Sequence, residues 1–316
     1  MPVLPAARWR AQAVAHRARL DELVGPYLER RSAGSSHPVI DFLFTYYGHK
    51  PAQLRRWHPG FGVAMAEASE YEGARGYHRL PSETDAKPNI VEPARSPLGD
   101  GRAESGSGGG IFTADPGFLA RRRDTIEFVA NLLRATTSRP AQLSCFGLHE
   151  WAMVYRTEDV RHQQVPLRLG RAGTDEVVES MSLRCTHYDA FRFFTPEAVG
   201  RNIEPLTRAD QVATEQPGCL HANMDLYKWC FHASPLISSE LTLDCFELAL
   251  AARELDMRAS PYDLAQHGYE PIRIETPTGR AEYVRRQSEI AERARILRAR
   301  LHDACLDLLA HVPDVR

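Results

Sequence analysis

A chain of 316 residues, 43% hydrophobic and 25% charged, is long enough to bury a full core without disulfides or a structural metal. That balance excludes global disorder, collagen-like repeats and a coiled-coil rod. A formal net charge of −2 excludes a strongly basic nucleic-acid coat, though not a local basic patch. Positive charge rests on 36 arginines against three lysines, Lys50, Lys87 and Lys228, and arginine forks bind carboxylates, phosphates and base edges in ways that lysine cannot. The six cysteines form no C-x-x-C pair and read as reduced thiols in a cytoplasm. The longest apolar runs fall short of the roughly 18 residues of a membrane span. The N-terminus lacks the apolar stretch of a signal peptide. The expectation is a cytoplasmic protein with no membrane contact.

In chain order, the pattern predicts a helix over 6–32, ended by Gly34. A second helix starts at Ser36-His37-Pro38, carries Asp41 to Tyr47 and breaks at Gly48. A short helix over Pro51–Trp57 precedes the turn His58-Pro59-Gly60. Residues 93–110 end in a Gly/Ser tract and read as a flexible insertion in a single domain spanning 1–316. Asp115-Pro116 caps and opens a helix to about Thr136. A helix over Gly147–Arg156 carries His149-Glu150-Trp151. Met181, Leu183, Cys185 and His187 alternate with polar residues, the period of a half-buried strand. Helix starts follow at Thr195-Pro196 and Thr207, and helices are expected over 222–233, 239–257 and 276–311. In the last, Ile290, Ala294, Leu297, Leu301, Ala304 and Leu308 form an apolar stripe that suits the core or the partner helix of a homodimer. The expected fold class is mainly α, with a small β element near 165–187 and a long C-terminal helix.

Chemistry concentrates in His, Asp and Glu. His37-x3-Asp41 and His221-x3-Asp225 share a spacing, and on a helix His221, Asp225, Lys228 and His232 fall on one face. Imidazole plus carboxylate suits zinc or iron, which makes His37, His149, His187, His221 and Asp225 metal-ligand candidates. For Asp41 the alternative is a carboxylate favoured near a helix N-terminus. Glu150, between Leu148 and Trp151, is an acid or base candidate if buried, and a salt-bridge partner otherwise. His187 and Asp189 stand at a strand end beside Phe191, Phe193 and Phe194, where a pocket would form. Ser260, Pro261 and Asp263 read as capping residues, and Asp256 and Arg258 before them lack such a local explanation. G-x-S-x-G, Walker and Rossmann signatures and H-E-x-x-H are absent from the sequence.

Several longer segments carry a resemblance: His37 to Gly60, Gly147-Leu148-His149-Glu150-Trp151-Ala152-Met153-Val154-Tyr155, Cys185 to Phe194, and Asp256 to Asp263. Together they resemble an actinobacterial family labelled 3-methyladenine DNA glycosylase. The resemblance implies hydrolysis of the N-glycosidic bond of an alkylated purine in duplex DNA, with no metal required. Such an enzyme flips the base into an aromatic pocket, for which Tyr46, Tyr47, Trp57, Trp151 and Trp229 are candidates, with His187 and Arg258 as further substrate contacts. It needs a carboxylate against the developing sugar cation, with Asp41, Glu150, Asp189 and Asp225 as candidates. The helix-hairpin-helix and zinc patterns of known glycosylases are not visible. The alternatives are a zinc- or iron-dependent hydrolase or oxygenase built on a subset of the same residues, and a non-enzymatic helical interaction protein.

Overall fold

A computed structural model describes residues 1–81, 109–158 and 165–312. Among them are four short strands, β1 (Val3–Leu4), β2 (Ala64–Met65), β3 (Tyr77–Leu80) and β4 (Ile111–Ala114). Thirteen helices follow in chain order. They are α1 (Ala6–Ser32), α2 (Phe42–Tyr46), α3 (Pro51–Leu54), α4 (Pro116–Ala120), α5 (Arg123–Thr137), α6 (Leu148–Ala152), α7 (Gly170–Ser180), α8 (Tyr188–Phe191), α9 (Pro196–Val199), α10 (Gln211–Thr214), α11 (Leu220–Ala233), α12 (Ser239–Arg258) and α13 (Pro277–Ala310). The chain is mainly helical, with a small sheet and a long C-terminal helix.

The sheet runs in the order β1-β2-β4-β3, with β1 parallel to β2 and the other pairs antiparallel. It packs through Met65 and Phe112 on Trp9, Ala13, Trp57 and Tyr71, and the indole of Trp9 donates to the Ala66 carbonyl at 2.9 Å. Leu80 and Ile111 are paired, so the chain leaves β3 and re-enters β4 at the same place. The Gly/Ser-rich insertion read at 93–110 falls between them, and its residues 93–108 lie outside the described residues.

The β element is therefore not where the alternation places it. Residues 170–180 form α7, and 165–187 holds only the isolated bridges Leu167↔Tyr262 and Leu183↔Asn202. The alternation is nonetheless physical, because Leu183, Cys185 and His187 are buried while Ser182 and Arg184 are exposed. The segment is extended, and its partners are one backbone amide, Ile203 donating to the Leu183 carbonyl at 3.1 Å, and one side chain. Asn202 Oδ1 accepts from the Cys185 amide at 2.8 Å, and its Nδ2 donates to the Cys185 carbonyl at 3.0 Å. At Cys185 one side-chain amide meets both backbone demands that a neighbouring strand would otherwise meet.

Helical boundaries shift where local bonds compete. Asp41 accepts from the His37 amide at 2.8 Å, so 38–41 closes as a turn and α2 starts only at Phe42. The helix expected from Asp115 to Thr136 divides into α4 and α5, and Asp115 caps α4 through the Gly117 amide at 2.9 Å. The packed centre is α11 against α12, crossed by α13, which also packs along α5. Ile290, Ala294, Leu297, Leu301 and Leu308 are buried there, so the apolar stripe of α13 is covered by the chain's own core.

The entry of α13 is tight. Thr276 accepts from the Gly279 amide at 3.0 Å, and a Cβ on Gly279 would lie 1.9 Å from the Arg273 carbonyl oxygen. Glycine to alanine inside an open helix gains up to about 1 kcal/mol. Here the sign should reverse, with Gly279→Ala lowering the urea midpoint of unfolding. A raised midpoint would show that the turn at Arg273 yields freely.

Candidate metal centre

Three short pieces of structure bring the polar side chains to α11 and α12. Phe146 and Gly147 both take positive φ, 49° and 72°, and this turn starts α6 directly into the core. A Cβ on Gly147 would press on Ala259 at 3.3 Å. Trp151 is fully buried, and its indole donates to the Ala259 carbonyl at 2.8 Å, which ties α6 to the end of α12. His149 and Glu150 are thereby buried against the last turns of α12. The extended segment held by Asn202 delivers His187 at the start of α8, and α10 ends beside Glu215.

The result is two adjacent clusters, the groups of three potential metal ligands found among the described residues. The first is His149, His221 and Asp256, and the second is His187, Glu215 and Asp225. Within each, one ligand atom per residue lies within 4.8 Å of the others, and all six residues are buried. His221 touches both: its ring centroid is 4.5 Å from that of His149 and 5.3 Å from that of His187.

In the first cluster His149 Nε2 is 2.8 Å from Asp256 Oδ1, yet neither atom is in hydrogen-bond geometry with any partner. The His149 Nδ1 side faces Cys145 Sγ at 3.7 Å. Burial opposes a proton on His149, but the Asp256 carboxylate outweighs it and holds the pKa well above that of free imidazole. Burial, with His149 and His187 nearby, pushes His221 well below it. Arg253, 1% exposed, donates to Glu150 Oε1 at 2.7 Å and to Asp256 Oδ2 at 3.1 Å, and lies 3.9 Å from the ring centre of Phe42.

The second cluster is differently supplied. Lys228 donates to Asp225 Oδ2 at 2.8 Å and to Asp189 Oδ2 at 3.3 Å, and the Tyr47 hydroxyl donates to Asp225 Oδ1 at 2.8 Å. His187 Nε2 lies 3.4 Å from both Glu215 and Asp225. Burial works against charge on Asp225, but Lys228 and His187 override it and hold its pKa far down. Glu215 moves the other way, raised chiefly by burial.

A cavity of about 390 Å³ opens beside the first cluster. Glu150, His221, Arg253 and Asp189 border it, and Phe42, Tyr46, Met153 and Phe193 supply apolar wall. Asp189 also meets Arg192 at 3.2 Å and Arg208 at 3.5 Å.

Of the residues singled out in the sequence, Tyr46, Glu150, Asp189 and His221 border the cavity, and His149, His187 and Asp225 stand in the clusters behind it. Tyr47 acts from within through Asp225. His37 and Asp41 do not join them: Asp41 caps the His37 amide, and the His37 ring meets His267 and Tyr269. Trp57 is buried in the sheet-side core and donates to Glu240 at 2.8 Å, and Trp151 has no exposed face. Trp229 packs on Phe128 under the Lys228 ammonium. Arg258 donates to the Glu270 carbonyl at 2.9 Å and pairs with Glu254, outside the cavity lining. Asp256, left without a local explanation by its sequence, is a central member. Arg253 and Glu215 were not among the candidates. The available signal for Arg253 was its place with Ala249, Ala252 and Asp256 on one face of α12. Comparison with protein-family models, curated proteins and solved structures finds no match.

Arg253→Met keeps the aliphatic stem but leaves Glu150 and Asp256 without their shared cation. Breaking one side of a buried ion network costs about 3–5 kcal/mol. Urea unfolding should register a loss of that order, whereas a loss below about 1 kcal/mol would mean that the guanidinium is not compensating these carboxylates.

His49 gives a second expectation. Its ring lies on Phe231 at 3.6 Å and faces Tyr47, Tyr227 and His232; neither nitrogen has a hydrogen-bond partner. Burial first, then His232 and Lys228, lower its pKa to about 3. The unfolded chain takes up this proton near pH 6.5 and the folded chain does not. Stability should therefore be complete above about 6.5 and fall as pH drops toward 3. His49→Phe should flatten that acid limb, read as unfolding midpoints at pH 7, 5 and 4; parallel curves for the two proteins would exclude His49 as its source.

Proposed function

We propose that the chain is a divalent-metal-dependent hydrolase acting on a small substrate with a planar or apolar body. The observation that carries this is the convergence of His149, His221 and Asp256, all buried, with one ligand atom of each within 4.8 Å of the others. His149 Nε2 and Asp256 Oδ1 face each other as a buried ion pair at 2.8 Å, so two of the three donor atoms are already brought together. Two imidazoles and a carboxylate are a donor set for zinc or iron. A bound ion of this kind supplies a Lewis acid and a water of lowered pKa.

The remaining roles fall to the chain itself. Glu150 borders the cavity next to the cluster, where a carboxylate can take a proton from water, and Arg253 fixes its orientation. Phe42, Tyr46, Met153 and Phe193 would hold the substrate body and exclude solvent. The cavity volume falls within the usual range for small-molecule sites. The base-excision reading that the family resemblance implies would use the same cavity for a flipped base.

Elemental analysis of untagged protein purified without added metal tests the proposal. About one equivalent of zinc or iron per chain is expected, lost in His221→Ala and Asp256→Asn and kept in His37→Ala. Hydrolysis of a panel of esters, amides and glycosides should vanish on chelation, and also in Glu150→Gln with its metal retained. A chain that takes up neither zinc nor ferrous iron on dialysis would overturn it.

A further inference from the structure

A second and larger cavity, about 500 Å³, lies at the other end of α11. His221 is in the first turn of that helix, and Phe231 and His232, which border this cavity, are in its last. Eleven residues of helix place the two sites roughly 16 Å apart. Three arginines border the second cavity: Arg56 after α3, Arg75 in the turn before β3, and Arg122 at the start of α5. Among the described residues, no acidic one is in its lining.

The arginines differ from most others in this chain. Arg19, Arg55, Arg121, Arg123, Arg156 and Arg168, for example, each meet a carboxylate. Among the described residues, Arg56, Arg75 and Arg122 have neither an ion pair nor a side-chain hydrogen bond. They are placed instead by aromatic rings. Arg75 and Arg122 both lie over Phe118, at 5.7 and 5.3 Å, and Arg56 over Tyr71 at 6.0 Å. Cation–π contact positions a guanidinium while leaving its N–H fork unused. Three like charges from separate segments around one cavity repel one another unless an anion joins them. Arginine forks match phosphate oxygens in pairs.

We propose that this cavity binds a small molecule carrying two or more phosphate groups. Three forks exceed what a single phosphate needs, and the volume accommodates an organic body beside the phosphates, with Phe231 and Gln53 on its wall. The site is separate from the proposed metal centre, so its occupancy does not depend on that reading.

Isothermal titration calorimetry at physiological salt tests this, with inorganic pyrophosphate, adenosine triphosphate and a short DNA duplex as probes. Saturable binding of pyrophosphate or the triphosphate is expected. Arg56→Gln and Arg122→Gln should each weaken it by about tenfold or more, the cost of losing a charged hydrogen bond. Arg285→Gln, on the exposed face of α13, should leave it unchanged. Melting temperatures and metal content of the variants should match the parent, which separates a lost ligand from a lost fold. Failure of both small phosphates to bind at millimolar concentration would overturn the proposal. So would equal binding by the Arg56 and Arg122 variants. If only the duplex binds, through the same arginines, the cavity is a nucleic-acid contact and the small-molecule assignment falls.

Discussion

The arrangement around the first cluster depends on the buried guanidinium of Arg253. It joins Glu150 of α6 to Asp256 of its own helix and covers the ring of Phe42 in α2. Three elements distant in sequence are thereby fixed to one planar group. Arginine can do this because its fork offers several donors in a fixed plane, and it sheds water more readily than an ammonium. Taking such a charge out of water costs several kcal/mol, and two carboxylates offset that cost only where the geometry is held. That geometry also decides where the neighbouring side chains stand. His149 precedes Glu150, so fixing one carboxylate directs one imidazole; Asp256 accepts from the same guanidinium and presents its other oxygen to that imidazole.

Helix α11 is the second organiser. His221 and Asp225 are one turn apart and face the same side, yet they enter different clusters because different segments arrive at each level. At the level of His221 stand α6 and the end of α12. At the level of Asp225 stand His187, Glu215 and the Tyr47 hydroxyl. One turn further, Lys228 reaches back to Asp225 and out to Asp189. At the far end, Phe231 carries the His49 ring and borders the arginine cavity. A single helix thus sets the spacing between a cavity bordered by carboxylates and another bordered by cations.

How much of this was legible follows from what each signal measures. The long helices α1, α12 and α13 were readable because the 3.6-residue period repeats over many turns, and Leu241, Cys245, Leu248, Ala252 and Leu255 are indeed buried together. The sheet was not readable, since strands of two to four residues are too short to establish a period. The alternation over 181–187 reported burial correctly but not a strand, because pairing there is one isolated bridge at Leu183 and the Asn202 side chain at Cys185. The repeated H-x3-D spacing carried no such information: at His37 it makes a local turn, and at His221 it divides between two clusters. His149, Glu150, His187, His221 and Asp225 were recoverable from chemistry alone. Arg253 was not singled out, because in an arginine-rich chain its place beside Ala249, Ala252 and Asp256 on one helix face was the one sign of its burial.

The carboxylate oxygen that faces the imidazole distinguishes the two clusters and favours the first for the proposed metal. Around His187 the negative charges of Asp225 and Glu215 face the Lys228 ammonium, and His187 itself holds a proton more tightly than free imidazole despite its burial. Two cations then match two anions. The oxygen of Asp225 that faces His187 is also the one bonded to Lys228, so an added ion would sit against an ammonium. Around His149 the count is the same: Glu150 and Asp256 face Arg253 and His149, whose pKa the Asp256 carboxylate holds above that of free imidazole, while His221 is kept neutral by burial and its neighbours. The difference lies in the oxygens: Asp256 gives Oδ2 to Arg253 and turns Oδ1 to His149 alone. A proton and a metal ion compete for the same imidazole nitrogen. The proposed cation would take the place of the His149 proton among ligands already assembled, whereas at Asp225 it would meet the Lys228 ammonium.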